Sequence, residues 1–395
     1  MHTTKMFLRA ALLLVFAVIA GNWAQAQTCT ATWTGNACTV RSCSWFTAGN
    51  WSPTQVPGTA SDVCVPTFTT ADATTTRSIS VHSIQVSEGG QIIFGAAKVS
   101  IATSLNNQGL ISMYGTTLSV GSIDMPNPGE IDVFDNSSLT SPAFSNTTGT
   151  LSVYPGGTLH LADNPVQLVS GNLSGGNWLV SGSGVLIFPS DISQITTESG
   201  AALGTFVLVD PGATFQDANG NNPLTTLTSV GPNAGFSVPS LTLDHDFTSQ
   251  GSVNVGTLSI NGTYTLESGA SAGVGPSLTA TSVIIQAGAT LGGGGTVVSS
   301  VTNNGNVAPA NLTVTGNYSQ GSSASLTEMF GNTLHVNSNA TLSGKLNVQV
   351  NPKHPPASGA SYTALTASSI SGSFTSVTTG FTLTTTANSI KVTKK

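Results

Sequence analysis

The stretch LGGGGTVVSSVTNNGNVAPANLTVTGNYSQ, residues 291–320, runs for thirty residues without a charged side chain, yet it lacks the continuous apolar run of a membrane span. Its apolar residues stand two apart, as in Leu312/Val314, and clusters such as Asn303 to Asn306 interrupt them. Period two with a small polar residue between is the pattern of a strand with one buried face, and Asn/Gly clusters are turn punctuation. The stretch therefore predicts very short strands joined by tight turns.

The same pattern recurs along the chain: Leu118/Val120, Ile131/Val133, Leu151/Val153, Leu159/Leu161, Leu241/Leu243, Leu258/Ile260, Leu334/Val336 and Leu346/Val348/Val350. No segment shows the long 3.6-residue periodicity of an amphipathic helix. A sandwich or small barrel rarely absorbs so many short strands, whereas a solenoid is built from them. With roughly 20 residues per coil, residues 78–350 would make about 13 coils and a rod roughly 60 Å long at the strand spacing. Uneven spacing of the apolar pairs predicts coils of varying length with protruding loops. Each solenoid end exposes an unpaired edge, so caps are expected at residues 27–77 and 351–395. The fold class predicted is all-β, a parallel β-helix with a cysteine-clamped N-terminal cap.

Residues 1–26 read as a secretory signal peptide: Lys5 and Arg9, the apolar run AALLLVFAVIAG, then Ala24-Gln25-Ala26, with cleavage expected before Gln27. An exported chain with Cys29, Cys38, Cys43 and Cys64 within 36 residues implies two disulfides, with all three pairings open. Zinc would need CxxC-type spacing or companion histidines, and neither is present near the cluster. The chain carries 10 Lys/Arg against 16 Asp/Glu, and between Lys98 and Lys345 there is no Lys or Arg while 13 carboxylates occur. Such a surface repels phosphate and acidic sugars, which argues against nucleic acid as a partner and leaves neutral glycans, cations and apolar surfaces.

The segments ATWTGN and GNWSPTQVPGTASDVCVP near the first cysteines, SGNLSGGNWLVSGSGVLIFP, and the opening stretch together resemble bacterial secreted β-strand-repeat proteins, relatives of autotransporter passengers and filamentous adhesins. The resemblance implies the pectin-lyase-like right-handed β-helix. Its departure is the Lys394-Lys395 end, where an autotransporter has a membrane barrel closing on an aromatic residue.

Few residues suggest chemistry. Lyases of this fold need a basic side chain and charge neutralisation of an acidic sugar, for which the Lys/Arg-free region offers nothing. A hydrolase would need paired carboxylates, and Glu130/Asp132 in GEIDVFD and Asp244/Asp246 in LDHDF each place two acids on one side of a strand, with His245 opposite. The structural alternative is that both pairs are solvent-facing positions opposite buried aliphatics. In DANGNN, Asp217, Asn219 and Asn221 imitate part of a calcium loop, but Asn222 stands where the sharp turn wants Gly. Trp45, Trp51 and Trp178 are candidate glycan-stacking platforms if exposed, and core fillers, with Trp33, if not. Residues 74–76 and 384–386 are all threonine, which raises ice binding, but a flat hydroxyl face needs more regular coils.

No cofactor is expected. The expected function is that of a secreted or cell-surface β-helix with an adhesin-like or structural, non-catalytic role. Its expected partners are glycans or cell-surface or matrix components, together with self-association. The alternative is a carbohydrate-active β-helix that binds or hydrolyses neutral glycans.

Overall fold

A computed structural model describes residues 28–395 except 40–42, 75, 96–97, 127 and 198–203; the signal-peptide reading thus lies outside the described residues. The described chain is all-β, with one 3-10 turn at Ala48–Asn50 and no α-helix. It winds as a parallel β-solenoid whose coils each contribute short strands to three faces. In one coil, for example, Gln91–Gly95 lies on face one, while Lys98–Asn107 bends to supply both face two and face three. Along face one, Thr70 pairs with Gln91, Gln91 with Leu110 and Leu110 with Glu130. The series continues without a break to Lys345 and Ser376, fourteen pairings in all.

What keeps this register is visible at the corner that enters face one. The residue before each strand is Gly, Ala or Thr, and from Thr69 to Ala324 its carbonyl accepts the N–H of the strand-entry residue one coil on. Examples are Gly90 to Leu110 at 3.0 Å, Gly129 to Thr150 at 2.8 Å and Ala324 to Lys345 at 2.9 Å. There is little room for more: a Cβ on Gly129 would lie 1.9 Å from the Asn107 carbonyl oxygen, and one on Gly109 would lie 2.2 Å from that of Gly90. Inward amides reinforce the corner from beneath. Asn107 Nδ2 donates to the Glu130 carbonyl at 2.7 Å, Asn303 Nδ2 to that of Ser325 at 2.9 Å, and Gln320 Nε2 to that of Lys345 at 3.1 Å. Each buried amide thereby finds a hydrogen-bond acceptor on the neighbouring coil.

Coil length varies as expected, from 16 residues between Thr290 and Asn306 to 31 between Lys345 and Ser376. The extra chain goes outward. Residues 166–174 form a small hairpin with Val166 and Val169 exposed, and residues 217–228 intervene where the face-two ladder stops at Thr214–Gln216 and resumes at Ser240. Inside, alternate residues of every face build one continuous apolar column that includes Leu118, Val120, Ile131, Val133, Leu346 and Val348.

The two ends close differently. At the first, Ala31–Trp33 pairs antiparallel with Trp51–Ser52 and parallel with Asp62–Val65, so the cysteine-rich segment is continuous with face three. Cys29 is bonded to Cys64 and Cys38 to Cys43, which selects the nested pairing. Disulfides of this kind fit an oxidising, extracellular environment. At the other end the parallel coil runs beyond residue 350. Ser361–Thr366, Ser369–Gly372 and Ser376–Val377 add a further parallel strand to each face. The hairpin Phe381–Thr385/Ser389–Lys394 then pairs antiparallel along Ser361–Thr366. No helix among the described residues is long and apolar enough to cross a membrane.

Candidate functional site

Glu130 and Asp132 lie on the strand Glu130–Phe134, whose burial alternates so that Ile131 and Val133 point inward and both acids point outward. The strand ends because Asp135 and Asn136 take left-handed backbone conformations, φ 39° and 57°, which turn the chain away. Its entry is fixed by the Gly109 carbonyl, 2.8 Å from the Glu130 N–H, and by Asn107. Three rows of side chains therefore cross this part of face one at the strand spacing.

In the middle row, register places Asp132 between Ser112 and Ser152. Both serines are almost wholly covered, at 5% and 3% exposure, although they lie on the outer side of the sheet. The cover is a column of rings in the next row. Tyr114, Phe134 and Tyr154 stack with centroids 4.7 and 4.3 Å apart and near-parallel planes, and Tyr114 is 40% exposed. Beside these rings, Asp132 Oδ1 and Ser152 Oγ are buried without a hydrogen-bond partner. Burial, then the charge of Glu130 two residues away, raises the pKa of Asp132 to about 6. Tyr154 is held above its ordinary value by burial first and by Asp132 second. On the other side of Glu130, a shallow groove of 270 Å³ is walled by Gln91, Gln108, Leu110 and Pro128.

Chemically, this face offers one carboxyl raised to about 6, a second carboxylate beside it, and an aromatic edge of three partly open rings, of which Tyr114 is the most exposed. It holds no basic side chain. It can accept hydrogen bonds from hydroxyls and pack against an apolar or sugar-like surface, and the acid pair is of the kind that general acid/base chemistry uses.

Other residues singled out from sequence behave differently. Asp244 to Asp246 do not continue the strand Gly235–Leu243; they form the corner before Phe247–Ser249, so the two acids do not share a strand face. His245 does not point away from its neighbours: its Nδ1 lies 2.7 Å from Asp244 Oδ1 and its Nε2 3.1 Å from the Leu227 carbonyl. Asp246 Oδ1 accepts the Thr263 N–H at 2.7 Å. The reason is that three polar residues in succession leave no inward side chain to hold the alternation. In the register this corner is also remote from Glu130/Asp132, with four pairings, about 19 Å, between their coils. The structure does not bring the two acid pairs together.

Asp217 spends its carboxylate on its own loop. Oδ1 accepts the N–H groups of Asn219 and Asn221, each at 2.8 Å, and Oδ2 accepts Asn221 Nδ2 at 3.1 Å, with the Asn221 backbone bond foremost in lowering its pKa. Asn219 and Asn221 thus shape an Asn/Gly turn. No cluster of three or more potential metal-ligating side chains occurs among the described residues. The stacking-platform reading of the tryptophans is corrected by burial: Trp45, Trp51 and Trp178 are 0–2% exposed. Trp51 meets Trp33 and Trp45 edge-on at 4.9 and 4.7 Å and donates its indole N–H to the Trp45 carbonyl, while Trp178 wedges between Phe144 and Phe188. Indole faces this well packed are not available to a sugar.

The ring column was missed in the sequence, although Tyr114, Phe134 and Tyr154 stand at intervals of 20 residues, one coil each. No family model, curated protein or solved structure matches this chain.

Proposed function

We propose that the chain works outside the cell as a non-catalytic, adhesin-like β-helix, displaying ordered rows of side chains to a surface through many weak contacts. The observation that supports this reading is the three-row face around Asp132, where a ring column, the Ser112/Asp132/Ser152 row and the outer row Gln91, Leu110, Glu130, Thr150 and Asn177 are held at one spacing by the coil beneath. A fixed array of this kind lowers the ordering cost of binding, because its side chains are already positioned. Neutral glycans or matrix components without strong negative charge are the partners it suits.

A second reading is favoured by one specific feature, the elevated pKa of Asp132 beside Glu130. In a carbohydrate-active protein Asp132 would be the proton donor and Glu130 the base or charge stabiliser. One experiment separates the two. The protein is incubated with a panel of neutral and acidic polysaccharides, and bound protein and released reducing ends are measured together. The display reading expects binding without release, weakened by Tyr114→Ala. Release abolished by Asp132→Asn would replace it with the enzymatic reading.

A further inference from the structure

Away from that face, one acid lies inside the coil. In the strand Ser325–Met329 the alternation that buries Leu326 also buries Glu328, which is 0% exposed. Its Oε2 accepts a 3.2 Å hydrogen bond from the Tyr362 hydroxyl, and its Oε1 has no partner. Tyr362 belongs to Ser361–Thr366, the strand over which the C-terminal hairpin lies. The same aromatic group continues outward: Phe330 packs on Tyr362 at 4.7 Å and on Phe381 of the hairpin at 6.0 Å, and Lys394 Nζ lies 4.9 Å over the Phe381 ring.

The ionisable groups acting on Glu328 are Tyr362 and Tyr318, both phenols. Val348 stands opposite it in the next coil, while Lys345, His335 and Lys391 are exposed and Lys394 is occupied with Phe381. No cation reaches the carboxyl from the strands packed around it. A buried, unpaired carboxylate is costly, whereas the neutral acid is tolerated.

We infer that Glu328 is a proton-operated latch on the C-terminal end of the solenoid: neutral, it lets the last coil and hairpin close over the apolar column; ionised, it loosens residues 361–394. Burial holds the carboxyl well above its ordinary value, against the opposing hydrogen bonds from Tyr362 and the Leu334 amide. A carboxyl raised on folding leaves stability complete below its unfolded value, about 4.3, and removes it as pH rises through the folded value. The end therefore closes in acid and loosens towards alkaline pH.

The test is hydrogen exchange read by mass spectrometry on the whole protein at pH 5 and pH 8, corrected for intrinsic rates. Protection of residues 361–394 should fall at least tenfold between the two pH values while residues 252–342 keep theirs. Glu328→Gln and, independently, Glu328→Leu should each remove that difference. Protection in the native protein that does not change with pH, or that changes equally in a variant lacking the acid, overturns the inference.

Discussion

The two ends of this solenoid solve the same problem by opposite means. At the N-terminal end the exposed edge is closed by covalent ties and buried indoles. There the acid Asp62 accepts a hydrogen bond from the Ser83 hydroxyl and lies 2.7 Å from His82 Nδ1, which together hold it below the ordinary carboxylate range. At the C-terminal end no disulfide occurs, the closure is a hairpin and an aromatic group, and the acid Glu328 is buried and raised. One end is thus set by connectivity, while the other depends on a proton. An acid at a solenoid end stabilises or weakens it according to whether it lies near solvent beside several donors or is buried where its hydrogen bonds do not offset desolvation.

The largest expected effect breaks the first half of that contrast. Removing the Cys29–Cys64 tie with paired serine substitutions should cost about 4 kcal/mol by the loop-closure relation, against about 2 kcal/mol for the shorter Cys38–Cys43 loop. Urea denaturation should show the loss, and exchange should place it in residues 31–86 and not in the hairpin. A control within the rod, away from both closures, is Gly129→Ala. Its Cβ would strike the Asn107 carbonyl, so a loss of about 3 kcal/mol is expected by thermal denaturation at every pH, without preference for either end.

The contrast sharpens with Glu328→Gln, which should raise stability at pH 8 by about 1–3 kcal/mol and leave it unchanged at pH 4. Equal stabilisation at both pH values would show that packing, not charge, limits this end. The smallest effect belongs to Asp132→Asn. Asp132 is also raised, to about 6, so its burden on stability grows as pH climbs from 4 to 6 and is constant above. Because the group is partly solvated, its removal should recover only about 1 kcal/mol at pH 7. Exchange in residues 361–394 should keep its pH dependence in this variant, which separates the outer acid from the inner one.

The coil was legible because period-two pairs such as Ile131/Val133 and Leu346/Val348 are buried as read, with turn residues between them. Alternation misled at LDHDF, where a corner follows Leu243 and the phase of the preceding strand no longer applies. Trp178 could be assigned to the interior only once register set it opposite Leu151. Two signals in the letters went unused. The residues just before the face-one strands are all Gly, Ala or Thr, a regularity that emerges only when coils of 16 to 31 residues are aligned on their corners. Glu328 follows Leu326 by two, so the phase that buries the leucine buries the acid. The pairing of the cysteines and the covering of Ser112 and Ser152 were not legible, because both depend on which coils become neighbours.

The unbroken face-one ladder also has a mechanical meaning. Its hydrogen bonds run along the rod axis, so tension between the ends pulls on one coil's bonds at a time rather than on all of them together. Coils should peel from the hairpin end in sequence, each releasing roughly 50–100 Å of slack for its 16 to 31 residues. The 35-residue interval between Cys29 and Cys64 cannot pay out in this way. A rod so built yields gradually from one end and stays tethered at the other.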